Sequence, residues 1–249
     1  ICSFYVVAFF RFVLVMIGVL SSSVVNLIFL PPKFETKIYY NSMNISSDIF
    51  VWFKLVLNDT SEFHNIKQDG DQLNSRINKL EKIFDYYNEE RPLTKKHIYQ
   101  QNRKKILFRE VVRTTRQAYE VLKRMSRYQN DLYQLNNQLL LQIKLELDSL
   151  VTLHEQIFKS LSKKARYDVT QLDYEVDNPQ KKNLMDAFQQ ELIKNPHQTQ
   201  YSYSNMMQII AEIEEYRYQL EHLDRIRLSF FTYHRSDTDI DISDEDFDL

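Results

Sequence analysis

Two glycines in 249 residues leave this chain almost no positions where the backbone can turn through positive φ. Average usage is about 7%, and tight hairpins depend on residues that tolerate that conformation. Prolines number only five. The chain therefore reads as all-α, with long helices joined by few loops. No segment shows a strand pattern.

The apolar residues support this at helical spacing. Ile38, Ile45, Ile49, Trp52 and Val56 share one face of a helix expected over about Phe34 to Leu57. A loop or helix break is expected from Asn58 to Asp71, around Gly70. Leu73, Ile77, Leu80, Phe84 and Tyr87 form the next stripe, which Arg91-Pro92 ends. Thr94 is placed to cap the longest helix. Its buried face is Leu107, Val111, Thr115, Ala118, Leu122, Met125 and Leu132, with an interruption expected at Asn136-Asn137. Ile143, Leu147, Leu150, His154, Ile157 and Leu161 continue at heptad spacing. Asn178-Pro179 reads as cap and first position of a short helix that ends near Asn195-Pro196. A last long helix carries Ile209, Ile213, Tyr216, Leu220, Leu223 and Phe230 on one side. No such stripe is stable alone in water, so the helices are expected to form an antiparallel bundle or to pack on copies in a homo-oligomer.

Phe12 to Leu30 is the other strong feature. It has no charge and is mostly Val, Leu, Ile, Phe and Met. A helix of that length spans about 28 Å, close to the hydrocarbon thickness of a bilayer. It is therefore expected to be a transmembrane helix, with Arg11 at the far interface as the first reading and facing a polar cavity as the second. Gly18, Ser22 and Asn26 lie on one side as a candidate helix-packing face. The Lys and Arg that follow Pro31-Pro32 place the next region in the cytoplasm. The chain starts with Ile in mid-pattern, so further spans are expected upstream. The expected organisation is a membrane portion over 1–32, a cytosolic helical bundle over 33–165 and a linker over 166–178. Further helices over 179–235 and an acidic disordered tail over 236–249 complete it.

Charge is unevenly spread. Residues 236–249 hold seven acids and no base, leaving about +5 for the rest of a chain whose net charge is −2. Arg91 to Tyr128 holds twelve Lys or Arg against Glu110 and Glu120. Within it, Arg103, Lys104, Arg109, Arg113, Arg116 and Lys123 are the candidate contacts for a lipid headgroup or small organic anion, with Arg127 nearby. A charged face that simply complements the bundle is the first reading. Anionic lipid or solute is the second, and nucleic acid, with Tyr119 and Tyr128 as stacking residues, the least favoured.

Enzyme signatures are missing. There is no GxGxxG, P-loop or GxSxG pattern, and no cofactor is expected. The single cysteine, Cys2, excludes a disulfide framework. No histidine follows a glutamate at the spacing of a carboxylate-bridged metal pair. His154 sits on an apolar face and is expected to be a core residue bonded to a neighbour. Asp237, Asp239, Asp241 and Asp248 fall at calcium-loop spacing, but Ile242 replaces the turn glycine.

Three stretches resemble a known family. "RFVLVMIGVLSSSVVNLIFLPPKFETKIY", with its Leu30-Pro31-Pro32-Lys33-Phe34-Glu35 exit, is similar to the last membrane span of the aromatic acid exporter family. These are the fusaric-acid-resistance-like membrane proteins of bacteria. "LFREVVRTTRQAYEVLKRMSRYQND" and "LVTLHEQIFKSL" resemble that family's C-terminal cytoplasmic helical domain. The likeness runs from Arg11 to Leu161. It implies a multi-pass protein of the cell membrane that exports aromatic or other organic acids, with a helical domain for assembly or gating. It assigns no substrate residue here. A membrane-anchored helical scaffold that binds protein partners and anionic lipid is the alternative.

Overall fold

The computed structural model describes residues 2–29, 34–58, 63–90, 95–135, 137–161, 184–194 and 203–233. All the elements among them are α-helices: α1 (Cys2–Phe29), α2 (Phe34–Leu57), α3 (Phe63–Glu89), α4 (Lys95–Arg127), α5 (Gln129–Tyr133), α6 (Asn137–Leu161), α7 (Leu184–Lys194) and α8 (Tyr203–Tyr233). The chain divides into two compact units, Ile1–Phe34 and Glu35–Leu249. Thr94, Asn178-Pro179, the linker over 166–178 and the acidic tail over 236–249, with its calcium-like spacing, lie outside the described residues.

The first unit corrects the expected membrane span. Among the described residues, no helix is long and apolar enough to cross a membrane. α1, 28 residues long, carries the charged Arg11 within it. Ser22 is exposed, and a Cβ added at Gly18 would meet nothing within 4 Å. Ser21 Oγ donates to the Gly18 carbonyl at 3.0 Å, satisfying itself within the helix. The Asn26 side chain lies outside those described.

The second unit is the bundle. Its helix contacts fix the directions. Tyr87 and Arg76 of α3 meet Glu35 and Asp48 of α2, so these two helices run antiparallel. Lys105 meets Asn88 while Tyr119 meets Gly70, so α3 and α4 are antiparallel too. Tyr39 to Phe158 and Lys144 to Asn58 give the same relation between α2 and α6. Helix α8 packs on α4, α5, α6 and α7. Its buried residues lie on several sides, among them Met206, Ile209, Ile210, Ile213, Leu220 and Leu223.

The helical stripes seat as their spacing requires. Ile38, Ile45, Ile49 and Val56 are buried, as are Leu107, Val111, Ala118, Leu122 and Met125. Trp52 and Phe84 are only half-buried. Two boundaries differ from expectation. Helix α3 begins at Phe63 and carries Gly70 inside it, because tertiary contacts outweigh a local glycine penalty of about 1 kcal/mol. The Tyr119 hydroxyl, donating to the Gly70 carbonyl at 3.1 Å, is one such contact. Tyr128 (φ −112°, ψ 30°) adds a break directly after α4, and the interruption expected at the asparagines follows it, since α5 ends at Tyr133 and α6 begins at Asn137.

One polar seam runs through this core. His154 of α6 is 1% exposed. Its Nδ1 lies 2.8 Å from the Tyr216 hydroxyl of α8, and its Nε2 lies 3.2 Å from Ser46 Oγ of α2. Phe50 and Phe158 enclose the ring. Burial pushes the imidazole down to about 3 and the Tyr216 phenol up. A neutral imidazole donates through one nitrogen and accepts at the other. One ring thus satisfies two buried hydroxyls and ties three helices together, which bears out the reading of His154 as a bonded core residue.

Candidate anion groove between α4 and α8

The cations of α4 were the candidate contacts, and the structure sorts them. Lys104 Nζ is 3.2 Å from Glu35 of α2. Arg109 and Arg113 flank Glu110, at 3.1 and 3.3 Å. Arg116 forks onto Glu81 of α3 at 2.9 and 2.7 Å and also reaches Asn74 and Asn78. Lys123 pairs with Glu120 at 3.0 Å. Five of the six thus meet a carboxylate, so their first task is to hold the bundle.

Glu35 is a hub of this kind. It accepts from the Tyr87 hydroxyl at 3.0 Å as well as from Lys104. Burial, and then the Glu35 charge, push the Tyr87 phenol well above its ordinary range. Glu110 is the more buried acid, at 1% exposure. Its two arginines are over half exposed. A carboxylate so deep is tolerable only when paired.

Arg103 is the exception. Its guanidinium bonds the Tyr99 hydroxyl and lies 4.5 Å from the centre of that ring. Among the described residues it has no carboxylate partner. Arg103 lines an open groove of about 760 Å³ with Ile106 of α4 and His222, Arg225, Ile226, Ser229 and Phe230 of α8. Helical geometry explains the set. Positions 222, 225, 226, 229 and 230 recur at three- and four-residue steps, so they form one face of α8. Arg225 is exposed and likewise has no acidic partner among the described residues.

The groove therefore has two characters. One is cationic, from the two guanidiniums. The other is apolar, from Ile106, Ile226 and Phe230. His222 lies at its edge, with Nε2 3.9 Å from Glu110 and its ring stacked on Tyr218. Guanidinium groups favour planar oxyanions, which they bind in bidentate fashion. An apolar wall beside them favours an anion that also carries a hydrocarbon body. Sequence reasoning found Arg103 but missed its α8 partners. Their signal is the same three-four spacing, readable only once α8 is known to pair with α4. Among the described residues no group of His, Cys, Asp and Glu side chains suits a metal ion.

No protein-family model matches the chain, and no solved structure matches it. Neither comparison brings out the aromatic acid exporter family. Among curated proteins, UPF0421 protein YgaE of Bacillus subtilis (strain 168) is 34% identical over 240 residues. The alignment takes in 96% of this chain and 66% of the relative, so the chain spans just under two thirds of that protein's length. At that identity over nearly its whole length, the chain is a family-level homologue of UPF0421 protein YgaE.

Proposed function

We propose that this chain is the helical module of a transport protein for aromatic or other organic acids, and that the α4–α8 groove is where the module meets the anion. One observation carries the reading. Of six candidate cations on α4, the one without a carboxylate partner among the described residues, Arg103, lines a groove with Arg225 and an apolar wall. Guanidiniums left without acids beside hydrocarbon suit a ligand that brings its own carboxylate. The likeness of three stretches to the aromatic acid exporter family supports the same class. The module works at the cell membrane, with the region after Pro32 on the cytoplasmic side.

The test has two parts. Calorimetry on the full chain should detect benzoate and fail to detect benzamide, its uncharged analogue. Cells making the full-length protein should retain less labelled benzoate than cells making the Arg103→Ala, Arg225→Ala variant. Equal retention together with no benzoate binding sinks the reading.

A second reading also has an observation behind it. Arg109, Arg113, Arg116, Lys123 and Arg127 fall along one outward stripe of α4, and all but Arg116 are exposed. Such a stripe suits a helical scaffold held against anionic lipid, where each nearby cation contributes about 1 kcal/mol. Sedimentation with phosphatidylglycerol vesicles, but not phosphatidylcholine vesicles, would favour it. Equal sedimentation with both would remove it.

A further inference from the structure

The pairing of α4 with α8 has two unlike ends. At the first, polar side chains close the interface. Gln117 Nε2 donates to Glu212 at 3.0 Å, and Arg124 donates to Gln208 at 2.8 Å and to Glu212 at 3.1 Å. The Tyr128 hydroxyl adds a contact to Gln208 at 3.2 Å. At the second end lies the groove, with Arg103 on one helix and Arg225 on the other. Among the described residues, the polar approach across this end is His222 to Glu110, at 3.9 Å.

We infer that this end of the helix pair is a clasp fastened by an amphipathic organic anion, which joins Arg103 to Arg225 and holds α8 from His222 to Phe230 against the start of α4. The inference rests on the reading that the groove takes an organic anion, and adds what the anion does to the protein. An oxyanion held by both guanidiniums gains an attraction from each helix. Its hydrocarbon body then fills the space between Ile106, Ile226 and Phe230, which excludes water and strengthens those attractions. Such a ligand binds the closed arrangement better than the open one, which is the requirement for shifting a conformational equilibrium. At the other end Arg124 already meets Gln208 and Glu212, and that zipped end serves as the fixed end of the lever. The groove thereby links occupancy by an acid to the position of the last turns of α8.

Amide hydrogen exchange on the full chain tests this, with benzoate as the probe. At benzoate ten times its measured dissociation constant, amides over 222–232 should exchange about tenfold more slowly, following the ligand-linkage relation. Amides over 206–216 should not change. Benzamide lacks the charge and sulfate lacks the hydrocarbon body, so neither should slow exchange. Arg225→Ala should abolish the slowing, while Arg225→Lys, which keeps the charge, should retain part of it. If benzoate binds and 222–232 is unaffected, the clasp is wrong and the anion reading stands. Slowing spread evenly along α8 would mean general stabilisation and would also overturn the clasp. Sulfate acting as well as benzoate would remove the apolar wall from the mechanism. If benzoate does not bind at all, both inferences fall.

Discussion

Tyr216 and Arg225 stand nine residues apart on α8, and the bundle treats them in opposite ways. Tyr216 is fully buried, and its hydroxyl meets His154 at 2.8 Å, so the protein itself satisfies the group. Arg225 is exposed on a groove, with another guanidinium across from it and no carboxylate among the described residues. Burial makes an unmet polar group expensive, so the seam must be complete within the chain. Exposure makes an unmet charge cheap, so the groove can leave its partner to a ligand. The difference separates polar residues that build the fold from those available to function.

The comparison predicts a large loss on the seam. His154→Ala removes a buried ring and orphans the Ser46 and Tyr216 hydroxyls. A cavity and two unmet hydrogen-bonding groups should cost about 3–5 kcal/mol, read by urea denaturation. A loss under about 1 kcal/mol would mean that the seam is incidental to the fold.

Acid should attack the same place. His154 sits near 3 in the folded chain because it is buried, against an ordinary 6.5. The unfolded chain therefore binds a proton that the folded chain refuses. The contribution is complete above about pH 6.5 and is lost as pH falls toward about 3, by up to about 1.4 kcal/mol per unit. Between pH 6.5 and 5 the carboxylates remain largely charged, which isolates the effect. Over that interval wild type should lose stability and His154→Gln should stay nearly flat. Parallel curves for the two proteins would contradict the assignment.

Much of the seam was legible before any coordinates, and the groove was not. The stripe Ile143, Leu147, Leu150, His154, Ile157 and Leu161 states that His154 points inward, because period alone decides which face is buried. It does not name Ser46 or Tyr216, which lie 108 and 62 residues away. The basic run on α4 marks cations but not which of them are spoken for. For Lys104 and Arg116 that depends on Glu35 and Glu81 arriving from α2 and α3, through the pairing of helices. Buried charges such as Glu110 and the Asp224–Arg227 pair at 2.7 Å leave no mark in a hydrophobic pattern at all. The membrane span expected from the uncharged run is a further difference, since no helix among the described residues is long and apolar enough to cross a membrane.

Arg116 sharpens the contrast within α4 itself. Its fork onto Glu81 is the best-formed ion pair on that helix, yet the two side chains are 26% and 40% exposed. Solvent screening then limits its worth, and Arg116→Ala should cost about 1 kcal/mol by thermal denaturation, through loss of the α3–α4 tie. Benzoate binding should be unchanged, since Arg116 lies outside the groove. A variant that keeps its stability but loses benzoate would reverse the roles given to Arg116 and Arg103.

Gly70→Ala probes the same α3–α4 contact with a gain. The glycine lies inside a helix, and an added Cβ would meet nothing within 4 Å. Alanine should raise stability by about 0.5–1 kcal/mol. The Tyr119 hydrogen bond uses the Gly70 carbonyl and survives the change. A loss in place of the gain would mean that α3 does not extend through this position.

The smallest stability effect should come from Arg103→Ala. Arg103 gives up one hydroxyl contact and a stacking position over Tyr99, neither shielded from water. The expected change lies within about 0.5 kcal/mol, far below that of His154→Ala. Arg103 has no carboxylate partner among the described residues, so the sign of the change is informative. A slight stabilisation with weakened benzoate binding is the signature of a charge kept for a ligand at some expense to the fold. A clear destabilisation with benzoate binding intact would place Arg103 with Arg116, among the residues that hold the bundle, and would leave the groove without its reason to bind an acid.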